Sequence, residues 1–97
     1  MADVTITREL GPSRGRYVAK LAGFEGEAEL TLVRLDGNRM LADHTLTPAA
    51  MRGRGIASAL VERLVADARR EGFKVVPQCP FVVAQFDRHA EWSDVRA

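Results

Sequence analysis

Cysteine occurs once in this chain, at Cys79, so no internal disulfide can staple the fold. Histidine occurs twice, at His44 and His89. Two histidines and one cysteine this far apart do not have the spacing of a zinc site, and no metal is expected. No stretch approaches the roughly 20 apolar residues of a membrane span. The first ten residues include Asp3, Arg8 and Glu9 and hold no apolar run, which reads against a signal peptide. Excess charge is also missing, with 14 Lys and Arg against 13 Asp and Glu. The basic residues are dispersed, so binding nucleic acid by neutralising its backbone is not expected. Neither an internal repeat nor a low-complexity linker is present. What remains is 97 residues, 46% apolar and 28% charged, the make-up of an ordinary soluble domain. One domain over residues 1–97 is expected, cytoplasmic, a monomer or weak dimer.

The first half alternates in the manner of strands. Val4 and Ile6 alternate with Thr5 and Thr7, predicting a strand over about 3–10. Gly11-Pro12-Ser13-Arg14-Gly15 is a turn by composition. A second strand follows over 16–22, with Tyr17, Ala19 and Leu21 on one face. After Gly23-Phe24-Glu25-Gly26 comes a third, over 27–35. Asp36-Gly37 between two apolar runs is a strong hairpin signal, leading into a fourth strand over 39–47. Short turns throughout make this an antiparallel meander.

Pro48 ends the meander, and the pattern changes to that of a helix over 54–71. Ile56, Ala57, Leu60, Val61, Leu64, Val65 and Ala68 recur at the helical period, while Glu62, Arg63, Asp67, Arg69 and Arg70 fall elsewhere. Gly72 is placed to terminate it. Phe73, Val75 and Val76 predict a short buried fifth strand, parallel to the fourth because a long crossover returns the chain to the same end. Pro80 suits the first turn of a second helix, over 81–90, since its missing N–H has no partner there. Residues 91–97 read as a loose tail, anchored at Trp92. The fold class expected is α+β, a mixed sheet with two helices.

The stretch that carries chemistry is Arg52-Gly53-Arg54-Gly55-Ile56-Ala57-Ser58. Glycines at a helix start leave backbone N–H groups bare at the positive end of the helix dipole, a ready anion site. A dinucleotide fingerprint needs repeated parallel units, which a meander with one crossover does not offer. A phosphate loop of the Walker type needs Gly-Lys-Ser or Gly-Lys-Thr, and Gly-Ile-Ala-Ser does not supply it. Cys79 stands just before Pro80, where a helix N-terminus favours the thiolate. It is equally readable as a small buried hydrophobe. His44 has a pKa suited to a general base, yet shares a face with Met40, Ala42 and Leu46 if the fourth strand is regular. A bulge there would turn it.

Arg52-Gly53-Arg54-Gly55-Ile56-Ala57 matches the pattern Gln/Arg-x-x-Gly-x-Gly/Ala, and so resembles the pyrophosphate loop of the GCN5-related N-acetyltransferases. His44-Thr45 and Val76-Pro77-x-Cys79-Pro80-Phe81-Val82, with His89 and Glu91, are similar to the small single-domain acetyltransferase-like proteins of the YjdJ type. The resemblance covers residues 44–92. It implies a fifth strand splayed from the fourth, with the pantetheine arm of acetyl-CoA in the gap. It implies cofactor contacts from Thr45, Leu46, Thr47, Arg52, Gly53, Arg54, Gly55, Ile56, Ala57, Ser58, Cys79 and Pro80. His44 and Cys79 become the catalytic candidates, His44 as base and Cys79 near the thioester. An amine acceptor is implied, and a chain this short leaves little to wall it in, which suits a peptide terminus or a lysine side chain. Phe86 stands where many relatives carry a tyrosine that protonates the leaving thiolate. A CoA-binding module with little turnover is therefore the competing expectation, and an α/β interaction domain without CoA affinity a third.

Overall fold

The structure, a computed structural model, describes residues 3–97. Four strands, β1 (Val4–Leu10), β2 (Arg14–Leu21), β3 (Ala28–Asp36) and β4 (Arg39–Leu46), form the antiparallel meander. A 3-10 turn (Ala49–Met51) leads to helix α1 (Ile56–Glu71), then β5 (Lys74–Pro77), α2 (Pro80–Arg88) and a second 3-10 helix (Ala90–Val95). The sheet order is β1-β2-β3-β4-β5, with β5 parallel to β4. The alternation and the crossover therefore yield the mixed sheet that the sequence dictates.

Two local expectations are corrected. Helix α1 starts at Ile56 rather than Arg54, because Gly55 adopts φ 73°, a left-handed conformation that stops the helix extending backwards. The hairpin expected at Asp36-Gly37 is present, with Gly37 and Asn38 joining β3 to β4 and neither at positive φ. A register shift between Arg34 and Asp36 precedes it. The tail is not loose. Trp92 and Val95 are buried, Arg96 bridges to Val75, and the Ala97 N–H donates to Val75 O at 2.8 Å.

The core occupies one face of the sheet. Tyr17, Ala19, Leu30, Leu32, Met40 and Ala42 pack there against Leu60, Val61 and Leu64 of α1, Val82 and Phe86 of α2, and Trp92. A third correction lies at this interface. Asp67 is fully buried rather than on the solvent side of α1. It accepts a 2.7 Å hydrogen bond from the Tyr17 hydroxyl and others from Arg8, Arg63 and Arg70. Arg8 also donates to Glu71 at 2.7 Å, and Arg63 to Ile6 O at 3.3 Å. This cluster fastens α1 to the first two strands. The opposite sheet face carries an ion-pair network centred on Arg16, which pairs with Glu9, Glu27 and Glu29.

Candidate functional site

Strands β4 and β5 pair only from Arg39 to Ala42 on β4. Beyond that point the N–H groups of Gln78 and Cys79 both donate to Ala42 O, each at 3.1 Å, and the chain turns away into α2. Residues Asp43 to Leu46 continue β4 without a β5 partner, so the two strands part. The ladder with β3 runs Thr31 to His44 and then Leu32 to Ala42, leaving Asp43 as an extra bulged residue. Asp43 is tied down by the Thr31 hydroxyl at 2.7 Å.

That bulge reverses the side-chain alternation. Thr45, opposite buried Leu30, takes the core face. His44 and Leu46 move to the outer face and are exposed. Of the two orientations open to His44, the bulge selects the outward one and takes it off the face of Met40 and Ala42. The group that reaches Cys79 is Thr45, whose Oγ1 lies 3.4 Å from Sγ.

Cys79 is buried and is the N-cap residue of α2, with Pro80 in the first helical turn. Burial by itself pushes its thiol pKa up. The Thr45 hydroxyl and the N–H groups of Val82, Phe81 and Thr45 outweigh burial, and the net shift is downward. The sulfur faces these N–H groups without closing a full capping hydrogen bond.

The glycine loop lies on the same side as Thr45. Gly53 and Gly55 have φ of 78° and 73°, and a Cβ on either would meet nothing within 4 Å. Conformation, not crowding, therefore demands glycine here, and the space before the loop is open. Helix α1 starts with no side-chain cap and no acidic residue in its first turn. The Ala59 N–H donates to Gly55 O at 3.0 Å, so the N–H groups before it have no partner within the helix. They border a cavity of about 330 Å³ lined by Gly53, Gly55, Ile56, Ala57 and Ser58 at one end and by Thr45 and Phe81 at the other. Thr47, Met51 and Arg52 complete the lining. A bare helix start with two left-handed glycines is the right donor set for a diphosphate.

The family model described as GCN5-related N-acetyl-transferase matches residues 16–95, most of the chain. The chain belongs to the GCN5-related N-acetyltransferases. No curated protein is significantly similar to it. Among solved structures, it is similar to the NMR solution structure of a GCN5-like candidate N-acetyltransferase from Staphylococcus aureus, at 22% identity and a TM-score of 0.67. The match covers 94% of this chain and 87% of that one, and shows that the two share a fold.

As an acetyltransferase-family domain, the chain gathers most of the residues singled out from its sequence. Thr45, Thr47, Arg52, Gly53, Gly55, Ile56, Ala57 and Ser58 line one cavity. Leu46 and His44 do not, because of the bulge; exposed Pro80 and Arg54 stand outside it, and buried Cys79 lies behind Thr45 rather than in the lining. Met51 and Phe81 were not singled out as contacts. Phe81 carried a signal, since the residue after a proline in the first helical turn sits beside the break after β5. Met51 carried none, for its place depends on the turn after Pro48. Phe86 is buried edge-to-face against Trp92, with ring centroids 5.4 Å apart. Among the described residues, no helix is long and apolar enough to cross a membrane.

Proposed function

We propose that this chain binds acetyl-CoA and transfers its acetyl group to an amine. The observation that carries the reading is the continuous cavity from the uncapped start of α1 to Thr45, at the point where β4 and β5 part. In this reading the N–H groups of the glycine loop hold the diphosphate, with Arg52 adding charge from the cavity wall. The pantetheine arm runs between Thr47 and Phe81 toward Thr45 and Cys79. The acceptor nitrogen attacks the thioester carbonyl; the C–N bond forms, the C–S bond breaks, and CoA leaves as its thiolate. The lost amine proton passes to a base at the gap, and His44 on the open sheet face is the candidate. Cys79 lies behind Thr45 at that end, outside the cavity lining, with its Sγ 3.4 Å from Thr45 Oγ1. Because His44 and Leu46 are exposed beside the gap, a peptide or protein amine fits better than a small enclosed one.

One observation favours a second reading, a CoA-binding module with little turnover. The single tyrosine, Tyr17, is fully buried and bonded to Asp67, and Phe86 cannot donate a proton. No phenol is therefore available to the leaving thiolate. Calorimetric titration with acetyl-CoA and CoA, followed by thiol release in the presence of peptide amines, separates the two. Binding with release supports transfer, binding alone supports the module, and no binding by either ligand sinks both.

A further inference from the structure

Most arginines of this chain end on carboxylates, among them Arg8, Arg16, Arg39, Arg63, Arg69 and Arg96. Arg52 and Arg54, on either side of Gly53, pair with no carboxylate among the described residues. They are nevertheless held, and differently. Arg52 lines the cavity and donates Nε to Thr47 O at 3.2 Å. Arg54 turns out of the cavity and lays its guanidinium over the Phe24 ring, 4.5 Å from the centroid. Phe24 belongs to the turn between β2 and β3. It is half-buried against the core, and its N–H donates to Leu21 O at 3.1 Å.

A guanidinium held over a ring by cation–π attraction keeps the N–H donors that point away from the ring free. It also loses rotamer freedom beforehand, so less is lost when an anion arrives. Coenzyme A carries two anionic groups, the diphosphate and a phosphate on the ribose 3′ position. If the diphosphate sits on the glycine loop and the pantetheine runs to Thr45, the adenosine must leave the loop on the side away from the cavity. Arg54 is directed out of the cavity from that same loop.

Resting on the cofactor reading above, we infer that Arg54 recognises the ribose 3′-phosphate and that Phe24 is its positioning residue. Arg52 serves the diphosphate. This divides two neighbouring arginines between two phosphates and makes the site selective for CoA over its 3′-dephospho form.

The test is titration of the purified chain with CoA and with 3′-dephospho-CoA. The unaltered protein is expected to prefer CoA by about tenfold, the size of one exposed charge-assisted contact. Arg54→Gln is expected to remove that preference while leaving dephospho-CoA affinity unchanged. Arg52→Gln is expected to weaken both ligands equally. Phe24→Leu is expected to narrow the preference and Phe24→Tyr to keep it, a ratio that a loss of folding alone would not alter. Equal affinity of the unaltered protein for both ligands overturns the assignment while leaving CoA binding standing. So does an Arg54→Gln that weakens both alike. Failure to bind either ligand refutes the cofactor reading and this inference with it.

Discussion

Removing the carboxylate of Asp67 should cost this domain a large part of its stability without touching the cofactor end. Asp67→Ala leaves the fully buried Tyr17 hydroxyl without its acceptor, which costs about 1–3 kcal/mol. The partly exposed Arg8, Arg63 and Arg70 can turn to solvent, so their lost ion pairs add only about 1 kcal/mol together. The sum, about 3 kcal/mol, is a large share of the roughly 5–15 kcal/mol expected of a domain this size. It corresponds to a fall in Tm of roughly 10–25 °C. Along the helix, Asp67 stands about 16 Å from Ile56, at 1.5 Å per residue, so CoA affinity below the transition should not change. Urea unfolding followed by circular dichroism measures the first quantity and calorimetry the second. Tyr17→Phe and the double variant complete a cycle expected to show strong coupling. A loss below about 1 kcal/mol, or a CoA affinity that falls in step with stability, would refute the reasoning.

The same carboxyl gives a pH signature. Burial alone would raise its pKa, but the Tyr17 hydroxyl and the charges of Arg63 and Arg8 hold it below the usual carboxylate range. Its contribution is complete above the unfolded-state value and disappears as pH falls through the lower folded value, so Asp67→Asn should flatten the acid limb of the stability curve. Gly55→Ala should lose about 1–2 kcal/mol from left-handed strain and weaken CoA binding as a methyl enters the cradle. Gly23→Ala, strained in the same way at φ 84° but outside the loop, should lose stability alone, and equal affinity losses in both would sink the cradle. Cys79 alkylation should rise with pH around a midpoint below that of an ordinary thiol. Thr45→Val should move that midpoint up and bound CoA should slow the reaction; an unmoved midpoint in Thr45→Val would contradict the contact.

Local chemistry made most of the framework legible. Val4 to Thr7 alternate, Gly72 ends α1, and Pro80 opens α2, each for reasons contained within a few residues. The glycine loop was legible for the same reason, since a helix start after two glycines is a local event. What escaped reading depends on residues far apart in the chain. The bulge at Asp43 exists only in the ladder between β3 and β4, and it decides which way His44 points. Asp67 stands three residues after Leu64 and seven after Leu60, on the buried face by helical period, and its charge concealed that; it can stay there because Tyr17, fifty positions earlier, supplies a donor. The pairing of Arg54 with Phe24 joins two loops that no periodicity connects.

The bond from Arg63 to Ile6 has a consequence for how the sheet ends. The Ala22 N–H donates to Asp3 O at 3.0 Å, which sets the phase of the β1–β2 ladder so that Ile6 turns its carbonyl to the free edge. Arg63 occupies that oxygen. At the far side of the sheet, Val75 O is taken by the Ala97 N–H. An incoming strand would have to displace a partner already present at either margin. Open edges are where sheets recruit foreign strands and aggregate. Here a helix guards one rim and the chain's own last residues guard the other.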